Sequence, residues 1–300
     1  MPDLQSRIAE LRDRRNAVIL AHVYQRPEVQ DIADFTGDSL GLSKKAVETS
    51  AEVIVFCGVS FMAETASILN PDKTVLLPDR EAGCEMADMA TVDQLDAKLA
   101  ELPDETAVVS YVNSTAAIKA RSDICCTSSN AVQVVRSLPQ NTVLFLPDKN
   151  LASFVAERVD KTIVPWDGYC YVHHSNISPD AIRAARAEHP EAEVMCHPEC
   201  PPEVRSLADY VGSTAQMLDY ATQSDAVEFI TGTEDGLLHR LRRENPDKTF
   251  HALGTTCEGM KRITLEKLAE SLEKMQFEVS VSQEIRENAK RALDRMLEVS

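Results

Sequence analysis

The chain has 300 residues, 44% of them hydrophobic and 26% charged, a composition that excludes a mainly disordered protein. Its formal net charge of −17 lacks the basic footprint that nonspecific binding to nucleic acid or an anionic membrane demands, so any anionic ligand must be held by local donors. That length also exceeds what one hydrophobic core usually fills, and two or three domains are expected.

The N-terminal stretch MPDLQSRIAELRDRRNAVIL reads as an amphipathic helix running into a strand, without the apolar run or small-residue cleavage site of a signal peptide. No apolar run approaches the roughly 18 residues of a membrane span, so a cytoplasmic protein without a membrane partner is expected. In that compartment the eight cysteines are expected as buried hydrophobes, metal ligands or redox groups rather than a disulfide framework.

From there one pattern recurs. The strand AVILAHVYQRP carries His22 and Tyr24 at its tip, and VIVFCGVSFMAETASILNPDKTVLLPDREAGC follows, ending at Cys84. AVVSYVNST carries Tyr111 and Asn113; ICCTSSNAVQVVRSLPQNTVLFLPDKN follows and, after an insertion, KTIVPWDGYC reaches Cys170. EVMCHPECPP carries His197 and Glu199, and EFITGTEDGLLHRLRRENPDKTFHALGTTC ends at Cys257. Each unit runs from a β-branched segment through a small or hydroxyl-bearing turn and a helical stretch to Pro or Asn punctuation and a further strand, which is βαβ repeated three times.

Within each polar pair the residues are one position apart, so on an extended strand both face one side, with Cys196 on the opposite side from His197 and Glu199. MCHPECPP has the residues of a metal knuckle, yet no second ligand pair stands at zinc-ribbon spacing, and it reads as the mouth of a strand. Strands alternating with helices imply parallel sheets covered on both faces, with ligands bound beyond the carboxyl ends of the strands. The predicted fold class is α/β: three homologous three-layer αβα domains, 1–86, 87–172 and 173–257, in pseudo-threefold arrangement around a central active site. A C-terminal helical segment, 258–300, is expected to pack back on them.

Cys84, Cys170 and Cys257 are spaced 86 and 87 residues apart and end equivalent units, so one thiol from each is expected on a shared axis. Three soft ligands without a fourth from the protein suit zinc, copper(I) or an iron–sulfur cluster, and a four-iron cluster so held keeps one iron open as a Lewis acid. Cys57, Cys125, Cys126 and Cys196 lie in apolar strand contexts and are expected in the core. Cys200 is expected near the site without ligating.

Ser39, Ser128 and Thr214 fall at strand-to-helix turns, where a hydroxyl caps a helix and exposed N–H groups hold carboxylate or phosphate. His173, three residues past Cys170, is expected in the pocket. Glu199, in a desolvated cleft, is expected to have a raised pKa and to serve as general acid or base.

The motifs AHVYQRPEVQDIAD, GDSLGLS, VFCGVSFMAETA, YVNSTAAIKARSDICCTSSNA, LPDKNL, WDGYCYVH, HPEC, GST, TEDGLLHRL and TLEKLAESLEKM, in this order, resemble the quinolinate synthase family over nearly the whole chain. The resemblance implies a [4Fe-4S] cluster held by Cys84, Cys170 and Cys257. It implies condensation of iminoaspartate with dihydroxyacetone phosphate to quinolinate, with loss of phosphate and two waters, in de novo NAD biosynthesis. L-Aspartate oxidase or aspartate dehydrogenase would then be the source of iminoaspartate. Catalytic roles carry over to Glu199, Tyr24 and His173, and substrate binding to His22, Ser39, Tyr111, Asn113, Ser128, His197 and Thr214. The chain departs from the family pattern at Gly259, where Asn is common. Two alternatives stand beside this: a cluster enzyme of the diphthamide-synthesis type, which would bind S-adenosylmethionine, and a noncatalytic metal sensor or scaffold, whose site would lack surrounding His, Tyr, Asn and Glu.

Overall fold

In the computed structural model, which describes residues 3–299, the apolar runs form twelve short strands. The first four are β1 (Ala17–His22), β2 (Phe35–Gly37), β3 (Val53–Cys57) and β4 (Thr74–Leu76). Next come β5 (Ala107–Tyr111), β6 (Ile124–Cys126), β7 (Thr142–Leu146) and β8 (Thr162–Pro165). The last are β9 (Glu193–Cys196), β10 (Tyr210–Val211), β11 (Glu228–Gly232) and β12 (Thr249–Ala252).

They build three parallel four-stranded sheets with one topology, β2-β1-β3-β4, β6-β5-β7-β8 and β10-β9-β11-β12. Helices run between the strands, giving three αβα layers and an α/β fold. The inner strands VIVFC and AVVSY are buried at every position, as strands covered on both faces must be. Punctuation stops the helices where the sequence puts it: Ser60–Leu69 ends at Asn70 before Pro71, Ala131–Ser137 at Leu138 before Pro139, and Leu237–Glu244 at Asn245 before Pro246. A proline removes the next amide donor and disfavours helical geometry at the residue before it.

The C-terminal helices close the molecule. Leu265–Lys274 packs along Leu4–Arg14, and Gln283–Val299 lies across Ala116–Ala120, β6 and Ser60–Leu69. The latter buries Ala289, Ala292, Leu293 and Met296, a stripe at helical spacing, and so ties the first sheet's layer to the second. Among the described residues no helix is long and apolar enough to cross a membrane.

Candidate active site

All thirteen residues singled out from the sequence line one cavity. The chain reaches it through turns rather than extended strand tips. β1 ends at His22, whose carbonyl accepts the Gln25 amide at 2.9 Å and whose Nδ1 accepts the Tyr24 amide at 3.1 Å. β9 ends at Cys196, and His197 repeats the turn: its carbonyl accepts Cys200 at 2.9 Å and its Nδ1 accepts Glu199 at 3.2 Å. The alternation expected for a strand is therefore replaced by a four-residue turn, which still brings both polar side chains to the same side. Because Nδ1 accepts in each ring, the proton sits on Nε2, and Nε2 of His197 lies 3.2 Å from Ser128 Oγ. Burial lowers both imidazole pKa values to about 3, with the Lys261 charge adding to the effect at His22, so these rings are neutral donors near pH 7.

The capping expected of Ser39 and Thr214 belongs to their neighbours. Asp38 caps Ser39–Glu48 by accepting from the Gly41 amide, and Ser213 caps Thr214–Gln223 with a complete capping box through Gln216. In the second unit Asn130 Oδ1 accepts the Thr127 amide at 2.7 Å. The flanking residue satisfies the local backbone in each case, so Ser39, Ser128 and Thr214 keep their hydroxyls at the cavity wall. Ser129 Oγ lies 2.7 Å from Asp38 Oδ2 and 2.8 Å from Ser213 Oγ, fastening the three turns together. Asn113 also lines the cavity, and its buried Oδ1 has no protein partner. A buried carbonyl oxygen of this kind calls for a donor from a ligand or water.

Glu199 is 2% exposed, and Oε2 stands 2.7 Å from Nδ1 of His173. Burial pushes its pKa up, but the adjoining His197 and His173 imidazoles and the Tyr111 hydroxyl outweigh that and hold it below the usual carboxylate range. This corrects the raised pKa expected from desolvation: surrounding donors favour the ionised form, so Glu199 meets its ligand as a carboxylate. His173 Nε2 continues to Thr233 Oγ1 at 2.9 Å, and Thr233 Oγ1 lies 2.6 Å from the Tyr24 hydroxyl. Burial keeps the Tyr24 and Tyr111 phenols protonated, with pKa values well above their usual range.

Cys84, Cys170 and Cys257 occupy matching local positions, each at the N-cap of a short helix. The amide N–H three residues on, from Ala87, His173 and Met260, faces each sulfur and favours its thiolate. Burial works the other way and raises all three thiol pKa values, Cys84 to about 12, so a thiolate set here needs a bound cation. Among the described residues, Cys170, His173 and Glu199 each place one ligating atom within 4.8 Å of the other two. An apolar wall of Val59, Phe61, Met62, Met86, Val172 and Met260 also lines the cavity.

At Gly259 an added Cβ would stand 2.2 Å from the Gly83 carbonyl oxygen, so the loops carrying Cys257 and Cys84 touch backbone to backbone. Within this packing the position admits glycine alone. Cys57, Cys125, Cys126, Cys196 and Cys200 are buried and do not line the cavity; the Cys200 thiol lies 3.6 Å from the Gly232 carbonyl.

Sequence reasoning passed over two buried carboxylates. Asp148 Oδ2 accepts the Cys170 amide at 3.1 Å, and Glu234 Oε1 accepts the Cys257 amide at 3.2 Å. Each stands two residues beyond the third strand of its unit, a shared offset that could have exposed them; Val59 holds the equivalent place in the first unit. Lys261 Nζ pairs with Glu234 Oε1 at 2.8 Å and also bonds the Tyr24 carbonyl, linking the third unit to the first.

A family model described as quinolinate synthetase A protein matches residues 6–298. Quinolinate synthase 1 of Methanosarcina acetivorans is 56% identical over 299 residues, covering 99% of this chain and 98% of its own. The quinolinate synthases of Methanosarcina barkeri and Geotalea uraniireducens are each 55% identical with the same coverage.

Proposed function

We propose the following reaction from the premise that the chain belongs to the quinolinate synthase family: iminoaspartate and dihydroxyacetone phosphate condense to quinolinate with release of phosphate and two waters, a step in NAD biosynthesis. The observation that carries this reading is the meeting, in one cavity, of a thiol from each of three like units with Glu199, His173, Tyr24 and hydroxyl donors for anions. A bare metal sensor has no use for the second half of that list.

Cys84, Cys170 and Cys257 would hold a [4Fe-4S] cluster, which supplies a Lewis-acidic iron when bound. The other residues bind, orient and move protons. Ser39, Ser128 and Thr214 line the cavity where two ten-residue helices begin, so their hydroxyls and nearby amides receive phosphate or carboxylate. His22 and His197 add neutral Nε2–H donors, and Tyr111 and Asn113 complete the polar wall. Glu199 accepts the proton removed from substrate carbon. His173, between Glu199 and the Thr233–Tyr24 pair, returns protons to departing hydroxyl groups. Enclosure by three units excludes water from imines that hydrolyse readily.

The domain division at 86, 172 and 257, and a cytoplasmic setting with L-aspartate oxidase or aspartate dehydrogenase as iminoaspartate source, belong to the same proposal. The test is anaerobic: cluster-loaded protein receives enzymatically generated iminoaspartate and dihydroxyacetone phosphate, and quinolinate and phosphate are quantified. Equal yields of both support the reading; absence of quinolinate from fully loaded protein overturns it, and S-adenosylmethionine binding would point to the diphthamide-type alternative.

A further inference from the structure

A second set of ligating side chains lies in the third layer, apart from the central cavity. His189 caps the end of helix Pro179–Glu188, Glu228 opens β11, and His251 lies in the edge strand β12. Nδ1 of His189 and Nε2 of His251 approach the same carboxylate oxygen, Oε1 of Glu228, at 3.0 and 2.7 Å. The imidazoles stack with centroids 3.4 Å apart and planes 20° from parallel. One donor atom from each residue lies within 4.8 Å of the other two. The three side chains are 22–30% exposed, so an ion can reach them from solvent.

We propose that His189, Glu228 and His251 form a binding site for one first-row divalent cation of the zinc, cobalt or nickel type, separate from the thiol-lined centre. Two imidazole nitrogens and one carboxylate are a borderline donor set that suits these ions; calcium and magnesium require oxygen-rich shells. Binding places each ring proton on the far nitrogen, Nε2 of His189 and Nδ1 of His251, and turns the near lone pairs to the metal. Water fills the remaining positions. Two nitrogens from separate segments already converge on one oxygen, so little rearrangement is needed beyond the ion entering between them. The net charge of −17 raises the local concentration of cations.

The site would act as a staple. It joins a helix end to two adjacent strands at the start of β11, whereas Thr233, which contacts Tyr24 and His173, follows the other end of that strand. Occupancy therefore stabilises the third layer without touching the reacting groups.

The experiment uses cluster-loaded full-length protein under anaerobic conditions, with zinc chloride titrated calorimetrically and cobalt(II) followed by visible absorption. The parent should bind one equivalent beyond its cluster iron and melt at a higher temperature with zinc present. His251→Gln and His189→Asn should each bind at least about tenfold more weakly and lose the thermal shift, while cluster iron and quinolinate formation stay unchanged. Glu228→Gln replaces either variant that fails to retain its cluster. No additional equivalent in the parent, or unchanged binding in the variants, overturns the assignment.

Discussion

Nδ1 of His173 lies 2.7 Å from Oε2 of Glu199, with both side chains about 3% exposed. The contact couples the helix that begins at Cys170 to the turn that follows β9, so the thiol-bearing loop and the carboxylate are held as one unit. Glu199→Gln keeps size and hydrogen bonding but cannot accept a proton. Iron content should remain at the parent level while quinolinate turnover falls about 10²-fold or more. Undiminished turnover would remove Glu199 from the mechanism.

If the proposed cluster is bound, Cys84→Ala, Cys170→Ala and Cys257→Ala should each lose its visible absorption, because among the described residues only these three thiols line the cavity. Cys57→Ala, Cys125→Ala and Cys196→Ser should keep it, with packing losses of about 1 kcal/mol. Iron and sulfide analysis of the six proteins decides the matter, and a full cluster in Cys170→Ala would contradict the assignment.

His22 has a pKa lowered to about 3 by burial and by Lys261, against an unfolded value near 6.5. Between those values the unfolded chain binds a proton that the folded chain refuses, so this group makes stability fall as the pH drops from about 6.5 towards 3. Replacing it by Asn should flatten the pH dependence of unfolding free energy by about 1.4 kcal/mol per pH unit in that window. Denaturant unfolding from pH 4 to pH 8 measures the slope, and an unchanged slope would show that His22 is not held neutral.

Asp148 and Glu234 orient the cysteine amides beside them, and Glu234 also carries the Lys261 pair. Asp148→Asn should assemble its cluster with an altered electron paramagnetic resonance signal. Glu234→Gln should in addition weaken the tie between the third unit and the first, because Lys261 then keeps only its bond to the Tyr24 carbonyl, and it should melt at a lower temperature than the parent. Signals identical to the parent in both variants would reduce these carboxylates to packing groups.

Gly259→Ala places a methyl group against the Gly83 carbonyl and should push the Cys257 loop away from Cys84. The expected result is reduced iron retention with far-UV circular dichroism unchanged. Full iron loading would mean that the two loops shift without cost.

The three βαβ units, their Pro and Asn stops and the matching cysteines were legible because each is a local pattern: apolar runs, turn residues and a repeat that places like residues at like strand ends. The same logic drew His22, Tyr111 and His197 to one cavity. Period 2 failed at HPEC because the strand stops at Cys196 and a turn takes over, held by the Cys200 amide and by the Glu199 amide on the imidazole. Capping was placed one residue late at Ser39 and Thr214, since the side chain that reaches the helix amides is fixed by backbone angles and not by residue type.

The sequence by itself determined the α/β class, the repeat and the residues that meet, because hydrophobic periodicity and punctuation act over a few neighbours. Tertiary structure alone decided the charge on Glu199, the carboxylates behind Cys170 and Cys257, and the convergence of His189 and His251 on Glu228. Each depends on groups brought together from distant parts of the chain, and electrostatic interaction in a buried site follows distance through space, which only the folded packing sets.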